Sequence, residues 1–79
     1  MAKYRKKPVV VDAEQFFTDG PSLPGVRWES QNGYLIPYVV TIHGQRAYLA
    51  DGDWVLQEPK EGHFYPCKPD IFAATYDPA

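Results

Sequence analysis

The chain has one cysteine, one methionine and two histidines among its 79 residues. A single thiol cannot close an internal disulfide, so the staple of small secreted domains is missing and a reducing compartment is expected. Structural zinc would need His43, His63, Cys67 and carboxylates such as Asp51, Asp53 or Asp70 to converge without any CxxC, HxxxH or HExxH pair, so neither a metal nor another cofactor is expected. A weak cation site at Ala50-Asp51-Gly52-Asp53 competes with the plainer reading of a tight turn with both carboxylates in water, which we prefer. Phosphate-loop, GxGxxG and GxSxG patterns are absent, which removes the familiar nucleotide and hydrolase signatures. No apolar run approaches the roughly 18 residues of a membrane span, and the basic start MAKYRKKPVVVDAEQF has only three consecutive valines before Asp12. These shortages lead to the expectation of a soluble, cytoplasmic chain with no targeting segment and no membrane partner.

Positive charge is scarce beyond the first seven residues. Lys3, Arg5, Lys6 and Lys7 are half of the eight basic side chains, and residues 8 to 79 carry four basic against ten acidic groups, a net −6. Such a body repels a phosphate backbone, and only the arm 1–7 could attract one. With Tyr4 available to stack on a base, Lys3, Tyr4, Arg5, Lys6 and Lys7 form the candidate site for single-stranded nucleic acid. The plainer reading is a solvated basic lead-in that blunts a strand edge, and the acidic body favours it.

Rings are plentiful: six Tyr, four Phe and two Trp make the chain 15% aromatic. One domain, 1–79, is expected, because a second core in so short a chain would bury too little apolar surface to offset its ordering entropy. Residues 8–16, PVVVDAEQF, alternate as a strand with Val9, Val11 and Ala13 on one face, and Phe16 breaks the alternation as a bulge or strand end would. Residues 17–37 carry Gly20, Pro21, Pro24, Gly25, Asn32-Gly33 and Pro37 without sustained periodicity and read as a long irregular loop, a candidate binding element pinned by Trp28, Tyr34, Leu35 and Ile36. Residues 38–52 read as a hairpin about a Gly44-Gln45 turn, with Ile42 opposite Ala47 and Val40 opposite Leu49. A second hairpin follows over 52–68. Pairing Glu58 with His63 across Pro59–Gly62 puts Leu56 opposite Tyr65 and Trp54 opposite Cys67, with Pro66 at an edge or bend. Pro69 and Asp70 then suit the start of a short helix that buries Ile71, Phe72, Thr75 and Tyr76 and stops at Asp77-Pro78.

The fold expected is α+β and mainly β: a small antiparallel sheet of about five strands forming a half-open barrel or sandwich, closed by a short C-terminal helix. Trp54, Leu56, Tyr65, Ile71, Phe72 and Tyr76 would meet Val9, Val11, Val40, Ile42 and Leu49, with Cys67 buried beside them. Cys67 is the one conventional nucleophile that draws attention. A thiolate needs an imidazole or a helix N-terminus to lower its pKa, and Cys67 precedes the expected helix. Along an extended strand, however, His63 lies about 13 Å away at 3.3 Å per residue. A small buried apolar residue is the better reading, and an enzyme or ligand pocket of Cys67, His63 and Asp70 stands only as an alternative.

The stretches YRKKPVVVDAEQF, GDWVLQ and FYPCKPDIFAATYDP together resemble a group of short, mostly uncharacterised proteins encoded by tailed bacteriophages and prophages. The resemblance covers roughly half of the chain and is most specific in the run Phe-Tyr-Pro-Cys-Lys-Pro-Asp-Ile-Phe. The central TDGPSLPGVRWESQNGYLIP falls outside it, where members would differ in a loop. The resemblance implies an accessory phage product acting in the bacterial host, and it supplies no catalytic residues. The expected function is a non-catalytic module that binds a host or phage protein, or itself, through Trp28 and Tyr34.

Overall fold

The computed structural model describes residues 1–4 and 10–78. Arg5, Lys6 and Lys7 of the basic arm and Pro8 and Val9 of the first expected strand lie outside those residues. Among the described residues, six strands and one helix run in the order β1 (Ala13–Gln15), β2 (Arg27–Gln31), β3 (Tyr34–Val40), β4 (Arg46–Tyr48), β5 (Trp54–Gln57), β6 (Phe64–Cys67) and α1 (Pro69–Thr75). They form two three-stranded antiparallel sheets, β1-β5-β6 and β2-β3-β4. The class is therefore mainly β with one short helix, as the alternation of the chain indicates. It is not one five-stranded barrel: β1 pairs with β5 rather than with any strand of the first hairpin, so the strands divide into two separate sheets.

The β5–β6 hairpin has the register read from the sequence, Trp54 opposite Cys67 and Leu56 opposite Tyr65. The Glu58 N–H donates to the His63 carbonyl at 2.9 Å and closes the four-residue loop. Val55 and Leu56 are both buried although they point to opposite faces, because this sheet is covered on both sides. On one side Phe16, Val39, Leu49 and Val55 form the cluster between the sheets, flanked by Leu23, Val26, Ala47 and Phe64. On the other side Phe72 of α1 stacks on Trp54 at 4.1 Å and 6°, and on Tyr76 at 5.0 Å. The expected single core is thus split into two layers. Leu49 and Val39 belong to the first, while Trp54, Phe72 and Tyr76 belong to the second. Ile71 and Thr75 face water instead of packing, since seven residues present only the Phe72 stripe to a sheet.

β1 is shorter than expected but ends where Phe16 breaks the alternation. Phe16 N–H donates to the Asp53 carbonyl and Gly52 N–H donates to the Phe16 carbonyl, both at 2.7 Å. Two residues therefore oppose one, and Gly52 at φ 90° supplies the left-handed conformation that such a bulge takes. The extra residue lies on the partner strand. Asp53, 2% exposed, accepts from Ala50 N–H at 2.9 Å and from Lys68 Nζ at 3.3 Å, which ties the turn before β5 to the start of α1.

Two expectations about the middle of the chain are corrected. The first hairpin turns about Ile42-His43-Gly44, a three-residue loop with Gly44 at φ 76°, not about Gly44-Gln45. Val39 then faces Ala47 and Val40 faces Arg46. The three-residue slip flips β3, so Val39 is wholly buried and Ile42 is exposed. The second correction concerns 17–37, which is not one long irregular loop. Asn32 and Gly33, at φ 51° and 84°, form the two-residue turn of a β2–β3 hairpin in which Gln31 pairs with Tyr34 and Trp28 with Pro37. Only 16–26 remains irregular, and Val26 N–H bonds the Leu23 carbonyl around Pro24-Gly25.

Candidate functional site

The β2–β3 hairpin presents the exposed rings singled out by the sequence. Its turn follows from Asn32-Gly33, whose paired positive φ values match the twist of the strands they join. Trp28 and Pro37 form a non-hydrogen-bonded pair with close side chains, because the Pro37 carbonyl is turned the other way, accepting Leu49 N–H at 3.0 Å. Side chains at 28, 35, 37 and 39 share one face of this sheet. At Val39 that face is sealed against the other sheet. Toward the turn it opens to water, and Trp28 is 43% and Leu35 68% exposed. The Phe16 ring lies 6.0 Å from the Trp28 ring at 53° and marks where the core stops and the open surface starts.

Tyr34 is 75% exposed but projects from the opposite face. The hairpin thus separates the two candidate partner-binding residues and joins Trp28 with Leu35, which the sequence reading had made a pinning residue. The signal was present: once Asn32-Gly33 is taken as a two-residue turn, Leu35 pairs with Ser30 and lies diagonal to Trp28.

The Tyr34 face carries a polar network. The Arg46 guanidinium lies 4.6 Å over the Tyr38 ring and 3.3 Å from Glu29 Oε1, an enclosed atom that has no aligned hydrogen bond. Tyr38 and Tyr48 approach at 6.1 Å. The Tyr48 hydroxyl first, and then the Gln31 side chain, hold the Glu29 carboxyl below its ordinary pKa, and the Glu29 carboxylate in turn raises the Tyr48 phenol. This network braces the hairpin at its base and leaves the tip free.

Cys67 is half-buried and unpaired. Its Sγ–H points to the Lys68 carbonyl at 3.7 Å, whereas His63 Nδ1 faces the Thr41 carbonyl at 2.7 Å. Burial first, and then the carboxylates of Asp70 and Asp53, push the thiol pKa up, opposite to what activates a nucleophile. Among the described residues no three His, Cys, Asp or Glu side chains gather as metal ligands would, and no helix is long and apolar enough to cross a membrane. Of the arm, Lys3 and Tyr4 are exposed.

Clefts lie on both faces of the β1-β5-β6 sheet. One, about 410 Å³, lies between Val10 and Val11 and the Trp54, Phe72 and Tyr76 rings. The other, about 540 Å³, runs over the inter-sheet face beside β1, floored by Leu23, Pro24, Val55 and Phe64. The chain matches no family model, no curated protein and no solved structure.

Proposed function

We propose that the chain is a non-catalytic binding module, an accessory product of a phage or prophage that works in the cytoplasm of the bacterial host. The reading rests on Trp28 and Leu35, neighbours at the end of a sheet face that the described residues leave open to water. Exposed tryptophan beside aliphatic surface is the usual anchor of a protein interface, because it removes a large apolar area from water at small conformational cost. The Arg46–Glu29–Tyr48 network supports the reading, since a braced hairpin loses little freedom on docking. The phage setting rests on the resemblance of the two ends of the chain. The raised Cys67 pKa and its separate partner from His63 favour binding over thiol chemistry.

The test is affinity purification of wild-type, Leu35→Ala, Trp28→Ala and Tyr34→Ala chains from bacterial cells, with sedimentation to detect self-association. Loss of the same complex from the Leu35 and Trp28 variants, each weakened about tenfold or more, with Tyr34→Ala less affected and the fold intact, is the expected result. A chain that stays monomeric and captures the same proteins whichever residue is changed refutes the reading.

A further inference from the structure

We infer that the occupant of the Trp28 surface is a second copy of this chain: two β2 strands pair edge to edge and antiparallel, Trp28 opposite Trp28 at the two-fold axis and Arg27 of each copy opposite Glu29 of the other. The inference rests on the binding surface proposed above and names its partner. The backbone supplies the first reason. β2 ends its sheet, pairing with β3 on one side and with no strand on the other among the described residues. Trp28 and Pro37 are a non-hydrogen-bonded pair, so Arg27, Glu29 and Gln31 bond toward β3 while Trp28 and Ser30 turn their N–H and C=O groups outward. All of β2 except Glu29 is exposed, and it holds neither lysine nor proline, the residues that usually guard an open edge. Such an edge is a template for strand addition. Trp28 belongs both to this edge and to the face it shares with Leu35, so one partner engages both.

Charge selects the occupant and its register. A two-fold axis makes the interface self-complementary, so the sequence of β2 must match itself read backwards. Centring the pair on Arg27 sets two guanidinium groups face to face, and centring it on Glu29 does the same with two carboxylates, both unfavourable. Centring it on Ser30 sets Trp28 against Asn32 of the turn. Centring it on Trp28 brings Arg27 and Glu29 together twice, at the close non-hydrogen-bonded positions about 4.5 Å apart between Cα atoms. Arg27 is exposed and makes no ion pair among the described residues. Arg46 and Tyr48 hold the Glu29 carboxylate from across the sheet, so it is fixed in place before the second copy's Arg27 reaches it from the open edge. On the other face the two Trp28 rings become a cross-strand aromatic pair with the Leu35 side chains beside them, which takes the most exposed apolar surface of the hairpin out of water. The two Trp28 residues exchange backbone hydrogen bonds, and the Ser30 N–H of each copy meets the Val26 carbonyl of the other.

Sedimentation equilibrium of the full chain is expected to show monomer and dimer, with the Trp28 and Ser30 amides exchanging more slowly as concentration rises. Ser30→Pro removes an N–H that faces away from β3, a change an edge strand tolerates, and should weaken the dimer about tenfold or more while urea unfolding of the monomer shows the fold retained. Arg27→Glu, on an exposed residue, sets like charges opposite one another and should weaken it to a similar degree, independently of any effect of proline on the strand. In a dimer of differently labelled copies, the Hα protons of Arg27 and Glu29 should give a strong NOE between copies. A chain that stays monomeric up to about 1 mM, a dimer that ignores both substitutions, or an NOE pattern in another register overturns the inference. If a monomeric chain still captures a host or phage protein and loses it on Trp28→Ala, the surface proposed above stands and its occupant is that protein. A dimer indifferent to Trp28→Ala and Leu35→Ala would remove that surface as well.

Discussion

Replacing Gly25 by alanine should be among the most damaging small changes in this chain. Gly25 has φ 82°, and a Cβ there would fall 2.2 Å from both Cδ2 and Cε2 of Phe64. The left-handed conformation alone costs a non-glycine residue about 1–2 kcal/mol. The contact is far inside the ~3.5–4.0 Å of carbon–carbon packing, so either the Phe64 ring leaves the inter-sheet cluster or the 23–26 turn lifts, an overpacking cost of about 1–3 kcal/mol. The sum, about 3 kcal/mol, is a large part of a small domain's stability and would lower Tm by roughly 12–24 °C. Gly33 is the control. Its φ is 84° but nothing lies within 4 Å of its Cβ position, so Gly33→Ala carries only the conformational cost. Urea unfolding followed by tryptophan fluorescence should show Gly25→Ala about 1–3 kcal/mol worse than Gly33→Ala. In a Phe64→Ala background that excess should disappear. Equal losses for the two glycine variants, or an excess that survives removal of the Phe64 ring, would refute the claim that this turn is clamped by the core.

Three further outcomes follow from the packing and the titrations. Leu56→Ala, at a wholly buried position on the Trp54 face of its sheet, should cost about 2–5 kcal/mol in denaturant unfolding; a loss below 1 kcal/mol would mean that this face is not closely packed. Asp51 is held below its ordinary pKa, first by the Thr18 hydroxyl and then by the Thr18 N–H, so the contact stabilises the fold above the ordinary aspartate value and is lost as pH falls through the lowered one. In Thr18→Ala the Asp51 midpoint, read by NMR, should move up toward the ordinary aspartate value without reaching it, because the backbone donor remains; an unmoved midpoint contradicts the assignment. Cys67 should react with a disulfide reagent at pH 8 more slowly in the folded than in the unfolded chain, because its pKa is raised by burial and by the Asp70 and Asp53 carboxylates; an equal or faster folded rate would reopen the case for a reactive thiol.

The diagonal neighbourhood of Trp28 and Leu35 was recoverable in principle but was obscured by composition. Glycine, proline and asparagine crowd the 17–37 stretch and read as loop, yet five residues on each side of Asn32-Gly33 pair in register. The turn chemistry was visible. What was missing was any hydrophobic alternation in RWESQ, a strand mostly open to water. The pairing of β1 with β5 could not be inferred at all, since local rules do not say which distant strand β1 takes as its neighbour.

Local rules acting over a few residues determined the β5–β6 register, the break at Phe16, the helix start at Pro69-Asp70 and the mainly β character, because turn geometry and side-chain period are written in adjacent positions. Gly44 shows where those rules stop. A glycine at positive φ serves both a two-residue and a three-residue turn, and only the packing of Val39 against Phe16, Leu49 and Val55 chooses between them. The division into two sheets, the flipped face of β3 and the uncovered end of the β2–β3 hairpin were decided by contacts between residues distant in the chain. Burial energy selects among such arrangements after the local geometry has allowed them.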